Sequence, residues 1–281
     1  MWAIIGGSGF EKNPDYRVIN SHHLDTPFGV CSASIQHIRV ANIDALFLSR
    51  HGIYHELLPS EINYRANIYA LKALGATKIL ALSTVGSLQS ELKPGEIVVP
   101  TQFIDQTKGI RKTSFLGEGV TGHVSLANPT SIELVSALQN LLEQLDFGIH
   151  FNRTYLCIEG PYYSTRAESL YYRRIGADII GMTSFPEYAL AREAGIGYLP
   201  CCIVTDYDCW NESLPEVNLA KVMDTSLKNK EKIQQIIKRL LPKTLDLLAK
   251  GCPELGLKHA LLTPIEYLSA QQKSWLSIIL A

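Results

Sequence analysis

No stretch of the 281-residue sequence stays apolar for the roughly 20 residues that a membrane helix needs, so no membrane span is expected. A charge excess is missing too. Lys and Arg number 26 against 27 Asp and Glu, and the formal net charge of −1 argues against attraction to nucleic acid or an anionic membrane surface. The one dense basic run, Lys228 to Arg239, is broken by Glu231, Ile233, Ile236 and Ile237, and reads as a solvated helix face. The six cysteines form no C-x-x-C pair and no histidine-spaced set, which excludes the usual zinc and dithiol motifs; they read as reduced thiols, mostly buried. Met1-Trp2-Ala3-Ile4-Ile5 runs at once into glycines and does not read as a signal peptide, so a cytoplasmic location is expected. There is no internal repeat, and no linker rich in proline, glycine or serine. With 46% hydrophobic residues the chain has ample core material for one domain over residues 1–250, followed by a tail, 251–281, of unassigned role.

What is present centres on residues 181–210. Ser184 and Glu187 have capping-box spacing, with Pro186 in the first turn, and predict a helix that Gly195 closes. The apolar run Ile196 to Val204 predicts a buried strand that ends at Thr205-Asp206-Tyr207-Asp208. Ligands of open α/β sheets collect at such strand ends. Thr183 offers a hydroxyl beside unpaired backbone N–H groups, which suits an anion. Asp206 and Asp208 read either as turn caps or as a functional carboxylate pair.

Other strand ends repeat the pattern. Trp2 to Ile5 leads into Gly6-Gly7-Ser8-Gly9, a turn whose backbone can approach a phosphate. A dinucleotide fingerprint would need a third glycine where Lys12 stands. Phe28 to Val40 and Ile43 to Leu48 are predicted to pair, ending at Ser49-Arg50-His51-Gly52; Arg50 brings a planar cationic fork, with His51 and His55 close behind. A helix is predicted from Ser60 to Gly75, then a strand from Lys78 to Leu82 that ends at Ser83-Thr84-Val85-Gly86. Glu96 to Ile104 predicts a strand. Lys108 to Gly122, polar and glycine-bearing, reads as a mobile loop, either a lid or a plain surface loop, with His123 at its far end. Ile132 to Leu145 predicts an amphipathic helix, and Thr154 to Ile158 a strand that delivers Tyr163, an aromatic face for a flat ligand or a core tyrosine. Thr165 and Glu168 form another capping box. Helix resumes near Glu216, with a break expected at Pro242.

Cationic, hydroxyl, aromatic and carboxylate groups at successive strand ends describe a site for phosphate plus a nucleobase. The motifs GGSGF, SRHG with His55 and Pro59, STVGSL, EGP followed by STRAES, GMTSFPE and TDYDCW resemble the trimeric purine nucleoside phosphorylase family, and within it the methylthioadenosine phosphorylases. The resemblance covers roughly residues 1 to 240. It implies an α/β fold with a central mixed sheet flanked by helices, and a homotrimeric salvage enzyme that needs inorganic phosphate as co-substrate but no metal or other cofactor. It implies phosphate binding by Ser8, Arg50, His51, Ser83, Thr84 and Thr183, and base and ribose walls at Tyr163 and Met182. Asp206 and Asp208 take the roles of recognising and protonating adenine, and Leu219, Val222 and Met223 line a 5′-methylthio pocket. His123 falls where the family contributes a residue across the trimer interface. Ser8 and Tyr163 stand where threonine and phenylalanine are usual, and Tyr162 replaces an arginine. The competing readings are a phosphorylase for 6-oxo purine nucleosides or methylthioinosine, a nucleoside-binding protein without turnover, and a nicotinamide oxidoreductase. The paired carboxylates favour a 6-amino purine.

Overall fold

In the computed structural model the described residues are 1–10, 16–142, 148–213 and 217–281, without the side chain of Glu254. The strands are β1 (Trp2–Gly6), β2 (Arg17–His22), β3 (Ile35–Val40), β4 (Ile43–Ser49), β5 (Lys78–Ser87), β6 (Ile97–Gln106), β7 (Ile149–Ile158), β8 (Ile179–Gly181) and β9 (Gly197–Asp206). They form one mixed sheet in the order β2-β3-β4-β1-β5-β8-β7-β6-β9, and a further β5–β9 pairing closes the last five into a ring. Strands β4, β1, β5 and β9 are mutually parallel. Their apolar runs are buried on both faces, as parallel strands covered by helices must be. Gly6 is level with Ser49, so the next residue of each strand, Gly7 and Arg50, emerges beside the other.

Helices α1 (Tyr64–Ala73), α4 (Glu187–Glu193) and α7 (Ala270–Leu280) cover one face; α2 (Ile132–Leu142) and α6 (Lys230–Lys243) cover the other. Tyr172 of α3 (Arg166–Arg174) packs in a small core with Leu156 of β7, and α5 (Leu219–Lys228) lies against β9. The Thr165–Glu168 capping box starts α3 as its spacing predicts. Helix α6 ends one residue beyond Pro242.

Several expectations fail for identifiable reasons. Helix α1 begins at Tyr64, because Asn63, not Ser60, accepts the Ala66 N–H as its cap. Residues 28–34 lie outside β3, and β2 takes the edge instead, a strand too exposed to show a burial pattern. Helix α4 has no side-chain cap, since Glu187 reaches away from Ser184 to a distant arginine. The segment 108–122 is no detached lid, for Arg111, Phe115 and Val120 are all buried in the body. Residue Leu145 of the expected second helix, Lys12 and Glu216 lie outside the described residues. The last 25 residues also pack: Leu257, Trp275, Leu276 and Ile279 join the α1–α4 core, with the Trp275 ring 5.4 Å from that of Phe28.

Candidate active site

The ends of β1, β4, β5 and β9 and the segments after β7 and β8 enclose one cavity of about 990 Å³. It brings together Ser8, Arg50, His51, Ser83, Thr84, Tyr163, Met182, Thr183, Asp206, Asp208, Leu219, Val222 and Met223. His123 alone of the expected residues is absent from its walls. It sits exposed on the surface, its backbone N–H donating to Ala260 O at 2.9 Å.

At one end the cavity is lined by polar groups that protein partners already hold. Arg50 is 1% exposed and gives its Nε and Nη2 protons to both oxygens of Glu187, at 2.7 and 2.8 Å, and an Nη1 proton to Leu82 O at 2.9 Å. Its bidentate fork therefore faces a carboxylate of the protein. Two of its five N–H groups remain for a ligand. Burial works against the guanidinium charge, but Glu187 outweighs it and holds the arginine above its ordinary pKa. Tyr198 Oη donates to the same carboxylate at 2.9 Å, which fixes Glu187 from behind. A Cβ on Gly7 would lie 2.6 Å from Arg50 Nη1, so only glycine lets this turn pass the arginine. His51 Nδ1 donates to Leu57 O at 2.9 Å, and its ring stacks 4.3 Å from that of His55. Thr183 is buried, and Ser83 Oγ donates to Cys202 Sγ at 3.3 Å.

The other end holds the carboxylates, and there burial works against their charge. Asp206 accepts from Thr205 Oγ1 and from the Asp208 backbone N–H, both at 2.8 Å. Burial raises its pKa. Asp208 has φ +50°, a left-handed conformation that aspartate tolerates better than most residues. Burial, with a further push from Asp206, lifts its pKa from 3.8 to about 6 against the opposing pull of the Ser169 and Ser164 hydroxyls. Ser164 Oγ and Ser169 Oγ are buried beside the Asp208 carboxylate, and their hydroxyls are the groups that favour its ionised form. A Cβ on Gly86 would press to 3.0 Å from Asp206 Oδ1, so the glycine keeps room for the carboxylate. A third wall is apolar, with Leu219, Val222, Met223 and Leu227 from α5 facing Ile53 and Leu58. Among the described residues no three His, Cys, Asp or Glu side chains gather as metal ligands.

Residues 2–242 match the family profile described as "Phosphorylase superfamily". The chain belongs to that superfamily. Within it, the chain is 39% identical over 279 residues to the S-methyl-5′-thioadenosine phosphorylase of Geobacter sulfurreducens, a match covering 99% of this chain and 97% of the relative. A methylthioadenosine phosphorylase crystal structure from an antarctic soil metagenomic library superimposes with TM-score 0.87 and 41% identity, covering 100% of this chain and 98% of the other. A mutant of the adenosine/methylthioadenosine phosphorylase from Schistosoma mansoni, solved in complex with methylthioadenosine, gives TM-score 0.84 and 31% identity, with 95% and 99% covered.

In this superfamily member, sequence reasoning misses several groups in and behind the cavity walls. It places Glu187 in a helix cap and gives Ser164, Ser169, Leu227 and Arg111 no role. Ser164 and Ser169 are within its reach, because they flank the Thr165–Glu168 cap. Glu187 and Arg111 are not, since their partners lie far away in the chain.

Proposed function

We propose that this superfamily member catalyses phosphorolysis of S-methyl-5′-thioadenosine to adenine and 5-methylthioribose 1-phosphate, a step of purine and methionine salvage. The observation that carries the reading is the polarity of the cavity: an ordered anion end, an apolar wall on α5, and a carboxylate pair with raised pKa at the opposite end. Phosphate sits among Ser8, Arg50, His51, Ser83, Thr84 and Thr183. One of its oxygens forms the new bond to C1′ as the N9–C1′ bond breaks, and the phosphate dianion faces the cationic sugar of the transition state. The bonding pair passes to the purine. Asp206, whose pKa burial raises, donates its proton to N7, so that adenine leaves neutral. Asp208, with Ser164 and Ser169 beside it, reads the rest of the purine edge. Tyr163 and Met182 wall the base and ribose, and Leu219, Val222 and Met223 take the methylthio group.

The test is an assay of methylthioadenosine, adenosine, methylthioinosine and inosine, each with and without phosphate. Phosphate-dependent cleavage led by methylthioadenosine is expected, undiminished by a chelator. Equal hydrolysis without phosphate, or preference for the 6-oxo nucleosides, overturns the reading.

The working form in this proposal is a cytoplasmic homotrimer in which the exposed His123 of each subunit meets a neighbour's cavity. A monomer in light scattering at assay concentration refutes that arrangement.

A further inference from the structure

Arg111 lies in the segment expected to be a loose loop, yet it is 6% exposed and every guanidinium N–H has an acceptor. Its Nε pairs with Glu159 Oε1. Nη1 donates to Met182 O at 2.8 Å and to Phe185 O at 2.6 Å, and Nη2 to Glu159 O at 2.8 Å and Ile158 O at 3.3 Å. The segment is pinned on both sides of the arginine: Lys108 N donates to Glu159 Oε2 at 2.8 Å, and Ser114 Oγ and Phe115 N donate to the Glu193 carboxylate at 2.6 and 2.8 Å.

These four carbonyls come from two short stretches, one at the end of β7 and one just after β8. The first leads into Pro161, Tyr163 and Ser164; the second contains Met182 and Thr183; all five line the cavity, whereas Arg111 does not. Thr183 is bracketed, with Arg111 bonded to the carbonyls on both sides of it. Strand β8 has only three residues, so little sheet pairing holds the stretch beyond it.

We propose that Arg111 is a positioning residue that locks the two cavity walls, the 158–164 stretch and the 182–185 stretch, into one register from behind. The inference rests on the reading of the cavity as a nucleoside-plus-phosphate site. A planar fork can bond one carboxylate and four carbonyls in a single plane, whereas a lysine has three tetrahedral donors and cannot. Without the fork the walls drift relative to each other, and displacements of about 1 Å in a reacting geometry cost roughly 10²-fold in rate.

The experiment compares Arg111→Ala and Arg111→Lys with the parent, normalising rates to the folded fraction measured by circular dichroism. The expected result is a roughly 10²-fold loss of kcat/KM per folded site in Arg111→Ala, carried by both kcat and nucleoside KM. Added guanidinium, below denaturing concentration, restores a tenth or more of the lost activity, roughly the value of one recovered charged hydrogen-bond set. It does nothing for Arg39→Ala, whose side chain is exposed on β3. Arg111→Lys falls between the two. Parent-like kcat/KM per folded site in either variant overturns the proposal, as does a loss that guanidinium leaves untouched. If Arg111→Ala does not fold, Glu159→Gln joins Arg111→Lys, with the same normalisation and a roughly tenfold loss expected for one weakened charged pair; parent-like values in both sink the idea. The parent's own turnover reports on the substrate reading and the variant-to-parent ratio on Arg111, so the two fail separately.

Discussion

The two ends of the cavity are built on opposite plans. At the anion end every strong group already has a protein partner: Arg50 has Glu187 and Leu82 O, His51 has Leu57 O, and Glu187 has Tyr198. At the carboxylate end Asp206 and Asp208 lie together in a buried setting, and the pKa of Asp208 is raised to about 6 against the pull of the Ser169 and Ser164 hydroxyls. The first end is organised before any ligand arrives, so its geometry is what a ligand meets. The second disfavours the ionised form of its carboxyls, so its chemistry is tied to a proton. Mutations at the anion end should therefore act through affinity and stability, and mutations at the base end through rate and pH.

The largest effect expected is that of Asp206→Asn, which keeps a donor but has no proton to deliver. Activity on methylthioadenosine should drop by about 10²–10⁴, while the ratio of inosine-type to adenosine-type cleavage rises. Steady-state assays on both nucleoside types check this, and an unchanged rate and ratio would make Asp206 a turn cap. Next comes Arg50→Lys, which keeps the charge but loses the fork. It is expected to raise the phosphate KM by about 10–100-fold, with a much smaller change in nucleoside KM. Equal rises in both would erase the distinction between the ends.

Asp208→Asn tests the penalty on the ionised form. Because the folded-state pKa is raised, the native state binds the proton more tightly than the unfolded chain does. Stability from this group is full below the unfolded value of 3.8 and is lost as pH rises through about 6. The penalty above that pH is on the order of 3 kcal/mol for a shift from 3.8 to about 6. Asparagine has no such penalty and suits the left-handed backbone. The variant should melt higher than the parent near pH 7.5, and the advantage should vanish near pH 4; a pH-independent difference would show that the charge is not the cause. The smallest effect belongs to Ser83→Ala, whose hydroxyl donates to a thiol. A neutral hydrogen bond to phosphate is worth about 1 kcal/mol, so phosphate KM should rise about fivefold with kcat nearly intact.

The strand ends and the walls they deliver are legible in the sequence because buried parallel strands announce themselves as apolar runs, and the residue after each run is placed by the sheet. Thr165 and Glu168 are legible for the same kind of reason, their partners being three residues apart. Ser184 and Glu187 have the same spacing and deceive: Glu187 bonds an arginine 137 positions away, and no local pattern distinguishes the two cases. Arg111 is illegible in another way. Four of its acceptors are backbone carbonyls, which every residue type carries, so no side-chain motif marks them. The polar segment around it looks loose in sequence because its polar groups are spent internally on Glu159 and Glu193.

Glu187 has a consequence at longer range. A negative charge fixed directly behind Arg50 makes the pair a dipole, whose field fades faster with distance than that of a lone cation. Beyond a Debye length of about 8 Å at physiological ionic strength, little remains to draw anions in. Phosphate is then recognised on contact and not gathered from afar, so its binding should be nearly indifferent to added neutral salt, and competing anions should be refused by shape and hydrogen bonding instead of by charge.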